Sequence, residues 1–374
     1  MKEIRPKRIL LMYISQVSGH RQSAVAIQKS LKALDPGCEI MSLNGFGYAY
    51  PLIEKIVNTA YMGVIKRAPK IWEYLYDNPK IIKASEQLKQ KVHKSSHKKL
   101  QPLMEEFKPD VVVCTQAFPC GMAADYKMEH RLPCKVVGVL TDFAPHLYWL
   151  HPGVDYYVVP SDEAKERYVK EGIAPAQIKV FGIPIRDKFA SRLDRAALCK
   201  KLGLLPDVPA VLIMGGGQGL GPMKDAVKAL MGLSRPVQMI VIAGTNVKLA
   251  RWLKKMPGRT DKKIIFYDYA INVDELMEVS TLIVSKPGGM TTSECLAKGL
   301  PMVIVDPIPG QEERNSRFLV RSGIAVRVDD KLQIGPKINE LLNDPPRLRA
   351  MREAALKHGR PEAARDIARF VLSI

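Results

Sequence analysis

The sequence predicts an α/β protein with two doubly wound parallel sheets. Apolar, β-rich runs alternate with helix-like segments along the whole chain, a pattern typical of parallel sheets flanked by helices. The pattern occurs twice, with six candidate strands in each half. A chain of 374 residues is also too long for one ordinary core and suits two domains. A content of 47% hydrophobic and 25% charged residues is that of folded globular domains.

The candidate strands are short apolar runs bounded by turn-forming or charged residues. In the first half they cover residues 8–14, 39–43, 110–115, 135–140, 155–159 and 179–181. In the second half they cover residues 210–214, 238–243, 263–267, 281–285, 302–305 and 325–328. The segment 182–209 between the two sets is expected to connect the two sheets.

This organisation predicts an N-terminal Rossmann-like domain over 1–183, a C-terminal one over 184–360 and a final helix over 361–374. One face of that helix is apolar and must be buried, in a core or back on the N-terminal domain. It carries Ile367, Phe370, Val371 and Ile374. Ligands of such sheets bind at the carboxyl ends of the strands, so two domains facing each other are expected to enclose a central cleft.

The formal net charge is +19, from 57 Lys and Arg against 38 Asp and Glu. A surface with this excess attracts polyanions. The charge is accompanied by no zinc-finger pattern, no RNP-like aromatic motif and no GXXG clamp in a suitable setting, so nucleic acid is not expected as a partner. An anionic membrane surface is the favoured partner. The alternative is that the charge serves solubility alone.

Neither a membrane span nor a metal site is expected. The longest apolar runs fall far short of the roughly 20 residues that a transmembrane helix needs, and the opening residues lack the pattern of a secretory leader. The six cysteines show no CxxC or Cys/His cluster, which is typical of reduced core thiols. These features predict a cytoplasmic protein that binds peripherally to the inner face of the cell membrane.

Residues 46–101 form an insertion without a convincing strand. Its first part is rich in aromatic and apolar residues, among them Trp72 and Tyr74, and residues 80–99 carry seven lysines with only Glu86 against them. Helices of this composition can lie in the headgroup layer of a membrane. The alternative is a helical pair packed on the domain with a solvated lysine face.

Three loops that follow strands are expected to carry the chemistry. The first places His20 where a helix begins, at the carboxyl end of the first strand. A neutral imidazole there can accept a proton from an attacking hydroxyl, although a histidine in a loop can equally be a structural hydrogen-bonding residue. The loop lacks G-x-G-x-x-G, which argues against a dinucleotide-dependent dehydrogenase.

The second loop follows the strand 210–214 and is rich in glycine. Glycines let a backbone approach a diphosphate closely, and N–H groups at the start of the next helix stabilise negative charge. The predicted phosphate-binding residues are Gly215, Gly216, Gly217 and Gln218. The alternative is a purely structural turn between strand and helix.

The third loop follows the strand 281–285. Gly288 and Gly289 open a helix whose N-terminal amides, with Met290 and the hydroxyl of Thr291 or Thr292, are predicted to hold a phosphate. Glu294, about one turn further on, can accept both hydroxyls of a ribose. The alternative role for Glu294 is a carboxylate that complements the helix dipole.

The next strand leads to Gln311 and Glu312. An amide and a carboxylate together suit a hexose, whose hydroxyls need both donors and acceptors. The alternative for this pair is a solvated loop.

These residues resemble the monogalactosyldiacylglycerol synthase and processive diacylglycerol glucosyltransferase group of glycosyltransferase family 28. The second-half motifs are Lys286-Pro287-Gly288-Gly289, Ser293-Glu294, Gly299-Leu300-Pro301 and Ile308-Pro309-Gly310-Gln311-Glu312. The first-half motifs are Ser18-Gly19-His20-Arg21-Gln22-Ser23-Ala24, Thr141-Asp142-Phe143 with His146, Trp149 and His151, Asp155 to Ser161, and Gly182-Ile183-Pro184-Ile185. The resemblance covers nearly the whole chain.

The resemblance implies a GT-B fold and a hexosyltransferase of glycolipid synthesis. The second domain would hold a UDP-sugar and the first a diacylglycerol-type lipid, and the transfer would invert the anomeric centre without a metal or other cofactor. It implies His20 and Asp142 as joint candidates for the base. Gly19 would lie in the acceptor loop, and Trp149 would face the acceptor or the membrane.

Two other classes of function stay open. One is a UDP-GlcNAc-dependent enzyme of the same fold, either a lipid-linked GlcNAc transferase or a UDP-sugar epimerase. The epimerase would act on the nucleotide sugar alone. The other is a non-enzymatic lipid- or nucleic-acid-binding protein, which would ignore UDP-sugars.

Overall fold

Each half of the chain builds a parallel six-stranded sheet. The structure is a computed structural model that describes residues 5–15, 18–51, 98–144, 146–256 and 262–374. It divides into two units. The first unit comprises Met1–Arg186 together with Glu362–Ile374, and the second comprises Asp187–Pro361.

The sheet of the first unit has the strand order β2-β1-β3-β4-β5-β6, and all neighbours are parallel. The strands are β1 Arg8–Tyr13, β2 Glu39–Asn44, β3 Val111–Cys114, β4 Lys135–Val139, β5 Tyr156–Val159 and β6 Ile178–Val180. The helices are α1 Gly19–Leu34, α2 Gly45–Ala49, α3 Ala117–His130 and α4 Asp162–Lys170, with residues 98–107 also helical. Because the order reverses between β1 and β3, the loops after these strands part to opposite faces and leave a crevice there.

The sheet of the second unit has the order β12-β11-β10-β7-β8-β9 and is also parallel throughout. Its strands are β7 Ala210–Met214, β8 Gln238–Ile242, β9 Ile264–Tyr267, β10 Leu282–Ser285, β11 Met302–Val305 and β12 Ala325–Val328. Its helices are α5 Arg195–Leu202, α6 Met223–Met231, α7 Val247–Leu253, α8 Val273–Val279, α9 Gly289–Lys298, α10 Gln311–Arg321, α11 Ile334–Leu342 and α12 Pro345–His358. The order reverses between β7 and β10, which is the order of the doubly wound dinucleotide-binding fold.

All twelve predicted strands form, each within one residue of its predicted limits. Parallel strands covered by helices on both faces must be apolar along their whole length, and such runs are easy to recognise. In β1, Ile9 and Leu11 face one core with Ile27, while Leu10 and Met12 face another with Met122. The fold class predicted from the sequence is therefore confirmed.

The last helix, α13 Ala363–Ser373, packs on the first unit. Ile367 and Val371 are fully buried against the core that contains Ile9 and Leu31. The Phe370 ring stands edge-on to Tyr156 at 5.0 Å. The apolar face predicted for this segment is therefore buried on β1 and α1, which are the first strand and helix of the chain.

All six cysteines are buried and unpaired, as predicted for reduced core thiols. Burial raises the pKa of the Cys295 thiol well above its ordinary value. The pKa of the Cys114 thiol is also raised, by burial and by its neighbour Cys120. Among the described residues, no helix is both long enough and apolar enough to cross a membrane.

Replacing Ile367 by alanine should destabilise the protein by about 2–5 kcal/mol, because the change empties a fully enclosed position between α13, α1 and β1. Denaturant unfolding followed by circular dichroism measures the loss. Arg365→Ala, on the exposed side of the same helix, is the matched control and should change stability by less than about 0.5 kcal/mol. Equal effects of the two changes would contradict the packing of α13.

Candidate functional site

His20 lies at the point where the sheet of the first unit reverses its strand order. It is the second residue of α1, whose N-cap Ser18 accepts a hydrogen bond from the Arg21 amide at 3.2 Å. The helix starts directly after β1, and the neighbouring strand β3 ends at Cys114, one residue before Thr115. His20 therefore lies at the carboxyl edge of the sheet, as predicted from the sequence.

Two groups contact the same nitrogen of the His20 ring. Its Nδ1 is 2.9 Å from the Thr115 carbonyl oxygen and 2.9 Å from the Thr141 hydroxyl oxygen. The Thr115 hydroxyl in turn donates to the His20 carbonyl at 2.9 Å. A carbonyl oxygen can only accept, so Nδ1 carries a proton and the neutral ring has its lone pair on Nε2.

Burial holds the pKa of His20 at about 4, against an ordinary 6.5, and the hydrogen bond to the Thr115 carbonyl opposes this shift. The low pKa keeps the imidazole neutral near pH 7, since burial disfavours the charged form. A neutral imidazole with its lone pair on Nε2 can accept a proton from a hydroxyl group.

Asp142 directly follows Thr141 and is partly buried. The bond between Thr141 and His20 brings the segment after β4 to the start of α1, which places the two candidate bases on neighbouring segments. Gly19 is exposed at the first position of α1. The predicted membrane residues Trp72 and Tyr74 lie outside the described residues.

Trp149, which was predicted to face the acceptor or the membrane, packs inside the first unit. Its side chain belongs to the core of the first unit and is 9% exposed. A Cβ atom on Gly138 of β4 would lie 3.3 Å from its ring, so the indole fills the space that the glycine leaves. His151, from the same motif, contacts the Asp125 carboxylate through Nε2 at 2.9 Å and accepts from the Gly153 amide at 3.1 Å. These contacts give both residues structural roles in the fold.

In the second unit, the glycine-rich loop closes tightly on itself. The Leu220 amide donates to the Gly215 carbonyl at 2.9 Å, and the Gly219 amide donates to that of Gly216 at 3.1 Å. Gly216 and Gly219 have φ angles of +64° and +59°, which favour glycine. The loop is fixed to the segment after β8, where Asn246 donates to the Gly219 carbonyl at 2.9 Å.

This closure leaves one stretch of backbone with open donors. In the part of the chain that the structure describes, the amides of Gly216, Gly217 and Gln218 have no backbone acceptor, and all three residues reach the surface. Consecutive amides in such a turn form a concavity that binds anions. Three of the four predicted phosphate-binding residues therefore present open amides, whereas Gly215 is buried at the base of the turn.

The helix α9 begins beside this loop. Its N-cap Gly288 offers no side chain to the first helical amides, and helix starts of this kind bind phosphate. A Cβ atom on Gly221 would lie 3.6 Å from Lys286 Cδ, so the glycine loop and the segment before α9 are neighbours. Thr291 is buried in the first turn, whereas Met290 and Glu294 are partly buried.

The Glu312 side chain contacts both the loop before α10 and the segment before α9. Its Oε2 accepts from the Ile308 amide at 2.7 Å and lies 3.4 Å from Lys286 Nζ. Gln311 and Glu312 begin α10, whose N-cap Gly310 provides no side-chain cap. The solvated-loop alternative for Glu312 is therefore wrong, because its carboxylate orders the loop.

Two residues near Glu312 were not predicted as site residues. Lys286 is buried beside Glu312, and Asn315 is fully buried and donates to the Pro287 carbonyl at 2.9 Å. Lys286 stood in the motif Lys286-Pro287-Gly288-Gly289, and its place directly after a buried strand was the available signal. Among the described residues, no three His, Cys, Asp or Glu side chains gather as metal ligands do.

Two family models match the chain in sequence. Monogalactosyldiacylglycerol (MGDG) synthase matches residues 20–185, and the glycosyltransferase family 28 C-terminal domain matches residues 210–367. Together they span both units, including His20 in the first and the glycine loop, α9 and α10 in the second.

Similar proteins in bacilli bear the name processive diacylglycerol beta-glucosyltransferase. That of Bacillus mycoides (strain KBAB4) is 29% identical over 372 residues, covering 99% of this chain and 94% of its own. That of Bacillus pumilus (strain SAFR-032) is 28% identical over 368 residues, covering 96% of this chain and 94% of its own.

Solved structures share the fold at lower identity. MurG of Acinetobacter baumannii has a TM-score of 0.66 at 17% identity, covering 99% of this chain and 100% of its own. MnaA of S. aureus, in a co-structure with UDP, has a TM-score of 0.64 at 16% identity, covering 96% and 94%. This likeness confirms the predicted GT-B architecture of two Rossmann-like domains.

Gly219→Ala should destabilise the second unit by at least about 1–2 kcal/mol, because φ is positive there and a Cβ atom would lie 1.9 Å from the Ala243 carbonyl oxygen. Gly217→Ala is the matched control, since nothing lies within 4 Å of its Cβ position. It should leave stability within about 0.5 kcal/mol of the unaltered protein. Denaturant unfolding compares the two, and a Gly219→Ala variant as stable as Gly217→Ala would show that the loop does not close in this way.

Proposed function

This chain belongs to the monogalactosyldiacylglycerol synthase group of glycosyltransferase family 28, and from that premise we propose that it transfers a hexose from a UDP-sugar to a diacylglycerol-type lipid. The names of the bacillar relatives support this choice of acceptor. The observation that carries the proposal is the His20 imidazole, which is neutral near pH 7 and has its lone pair on Nε2. An alcohol acceptor needs such a base.

The proposed reaction is a single inverting displacement. The acceptor hydroxyl oxygen bonds to the anomeric carbon, the bond from that carbon to the diphosphate breaks, and its electron pair leaves with UDP. The hydroxyl proton passes to Nε2 of His20, or to Asp142 if that carboxylate is the base. Proton removal of this kind typically contributes about 10²–10⁴-fold to the rate.

The second unit would stabilise the leaving group. The diphosphate gains negative charge as the bond breaks, and oriented amides stabilise such charge without reorganising. The Gly216–Gln218 turn and the start of α9 supply these amides, and Lys286 adds a buried cation nearby. We propose that these groups perform this role without a metal ion, that Glu294 holds the ribose, and that Gln311 and Glu312 hold the hexose.

The reaction would take place at a membrane, since the acceptor is a lipid. The net charge of +19 supports attraction to an anionic bilayer. We propose that the segment 46–101 docks on the inner face of the cell membrane. Most of this segment, including Trp72 and Tyr74, lies outside the described residues.

The proposed function is tested by incubating the purified protein with UDP-glucose, UDP-galactose or UDP-GlcNAc and liposomes that contain diacylglycerol. Mass spectrometry of the extracted lipids should show one or more added hexoses. Conversion of the nucleotide sugar without any lipid would favour a UDP-sugar epimerase instead. Absence of glycolipid with all three donors would refute the proposal.

His20→Ala should lower kcat about 10²–10⁴-fold and leave UDP affinity unchanged, because the imidazole would act on the acceptor alone. Asp142→Asn should act in the same direction if the carboxylate shares this role. Turnover is measured with the lipid assay and UDP affinity by calorimetry. The control is His130→Ala, an exposed histidine at the end of α3. Loss of UDP affinity in both site variants would count against these roles.

Glu294→Ala should weaken UDP binding about ten- to a hundredfold, because a ribose would lose the acceptor of its two hydroxyls. Isothermal calorimetry with UDP measures the change directly. Glu353→Ala, at an exposed position of α12, is the control for loss of one negative charge. An affinity equal to that of the control would remove Glu294 from the ribose site.

A further inference from the structure

The His20 ring is held from two neighbouring strands at once. Thr115 follows β3 and Thr141 follows β4. In the sheet, β3 lies next to β1, and β4 lies on the other side of β3. Both threonines are buried, and each places an oxygen 2.9 Å from Nδ1. The ring is therefore fixed by the register of three adjacent strand ends, not by its own helix alone.

The two oxygens differ in what they can do. The Thr115 carbonyl is an acceptor in every protonation state, and its position is set by the backbone bond from the Thr115 amide to the Met12 carbonyl at 3.0 Å. The Thr141 hydroxyl rotates and is the only side-chain group that the described residues bring to Nδ1. It shares the Nδ1–H hydrogen bond with the Thr115 carbonyl. The two contacts oppose rotation of the ring, because a rotated ring would lose both hydrogen bonds.

We propose that Thr141 is a positioning residue for His20. Its hydroxyl is the second partner of Nδ1 and holds the plane of the imidazole, while the Thr115 carbonyl keeps the proton on Nδ1 and the lone pair on Nε2. This inference rests on the proposed function for its catalytic meaning. Without the Thr141 oxygen, Nδ1 keeps its proton on the Thr115 carbonyl, but the ring is held through one bond only and can rotate, so the Nε2 lone pair no longer has a fixed direction. Thr141 itself touches no reacting atom.

The test uses Thr141→Val, which keeps the shape of the side chain and removes its oxygen, and Thr141→Ser, which keeps the oxygen. The valine variant should lower kcat about ten- to a hundredfold with little change in the KM for the donor, and the serine variant should restore most of kcat. A role in packing alone predicts the reverse order, because valine fills the buried site better than serine.

Nitrogen NMR of the full-length protein labelled at histidine gives a second readout. The unaltered protein and Thr141→Val should both show a protonated Nδ1 and an unprotonated Nε2 at His20, because the Thr115 carbonyl still accepts the Nδ1 proton in the variant. Thr115→Val is the matched control. It removes a hydroxyl that bonds the His20 carbonyl, leaves the Thr115 carbonyl on Nδ1, and should keep the tautomer of the unaltered protein.

The outcomes separate this inference from the proposed function. A protein that transfers no sugar to lipid refutes the proposed function. A working transferase in which Thr141→Val keeps its kcat overturns the inference. A protonated Nε2 in the unaltered protein overturns it as well, and this reading stands even if Thr141→Val does not fold.

Discussion

Helix starts at the carboxyl edge of a parallel sheet leave backbone N–H groups that the helix cannot satisfy, and both candidate sites depend on this constraint. The loops involved follow β1 and β3 in the first unit and β7 and β10 in the second, where each strand order reverses. Reversal parts the loops and leaves space between them. The residues that fill or border that space can therefore contact a ligand without disturbing the core.

The two units satisfy the constraint in opposite ways. In the first, Ser18 caps α1, and the ring of His20 is bonded to the ends of two further strands. In the second, Gly288 leaves α9 uncapped, and the glycine loop beside it turns consecutive amides outwards. The same architecture thus provides a fixed imidazole in one unit and a turn of outward-facing amides in the other.

The strands were predictable because a parallel strand covered on both faces must be apolar along its length, and the run Ala210–Met214 is apolar at every position and buried throughout. His20, the glycine loop and α9 were predictable because each directly follows such a strand. The burial of Trp149 could not be predicted, because it depends on the space that Gly138 leaves for the indole ring. The contacts of Thr141 with His20 and of Lys286 with Glu312 were also missed, since they join residues that only the sheet register and loop conformations bring together.

The position of α13 bears on how the chain folds as it is synthesised. The apolar face of β1 and α1 is synthesised before the second unit, whereas Ile367 and Val371, which cover it, are synthesised only after the whole of Asp187–Pro361. Until then the first unit carries an uncovered apolar groove, and incomplete domains of this kind are prone to aggregate. Translation of the second unit therefore sets how long this groove stays uncovered in the nascent chain.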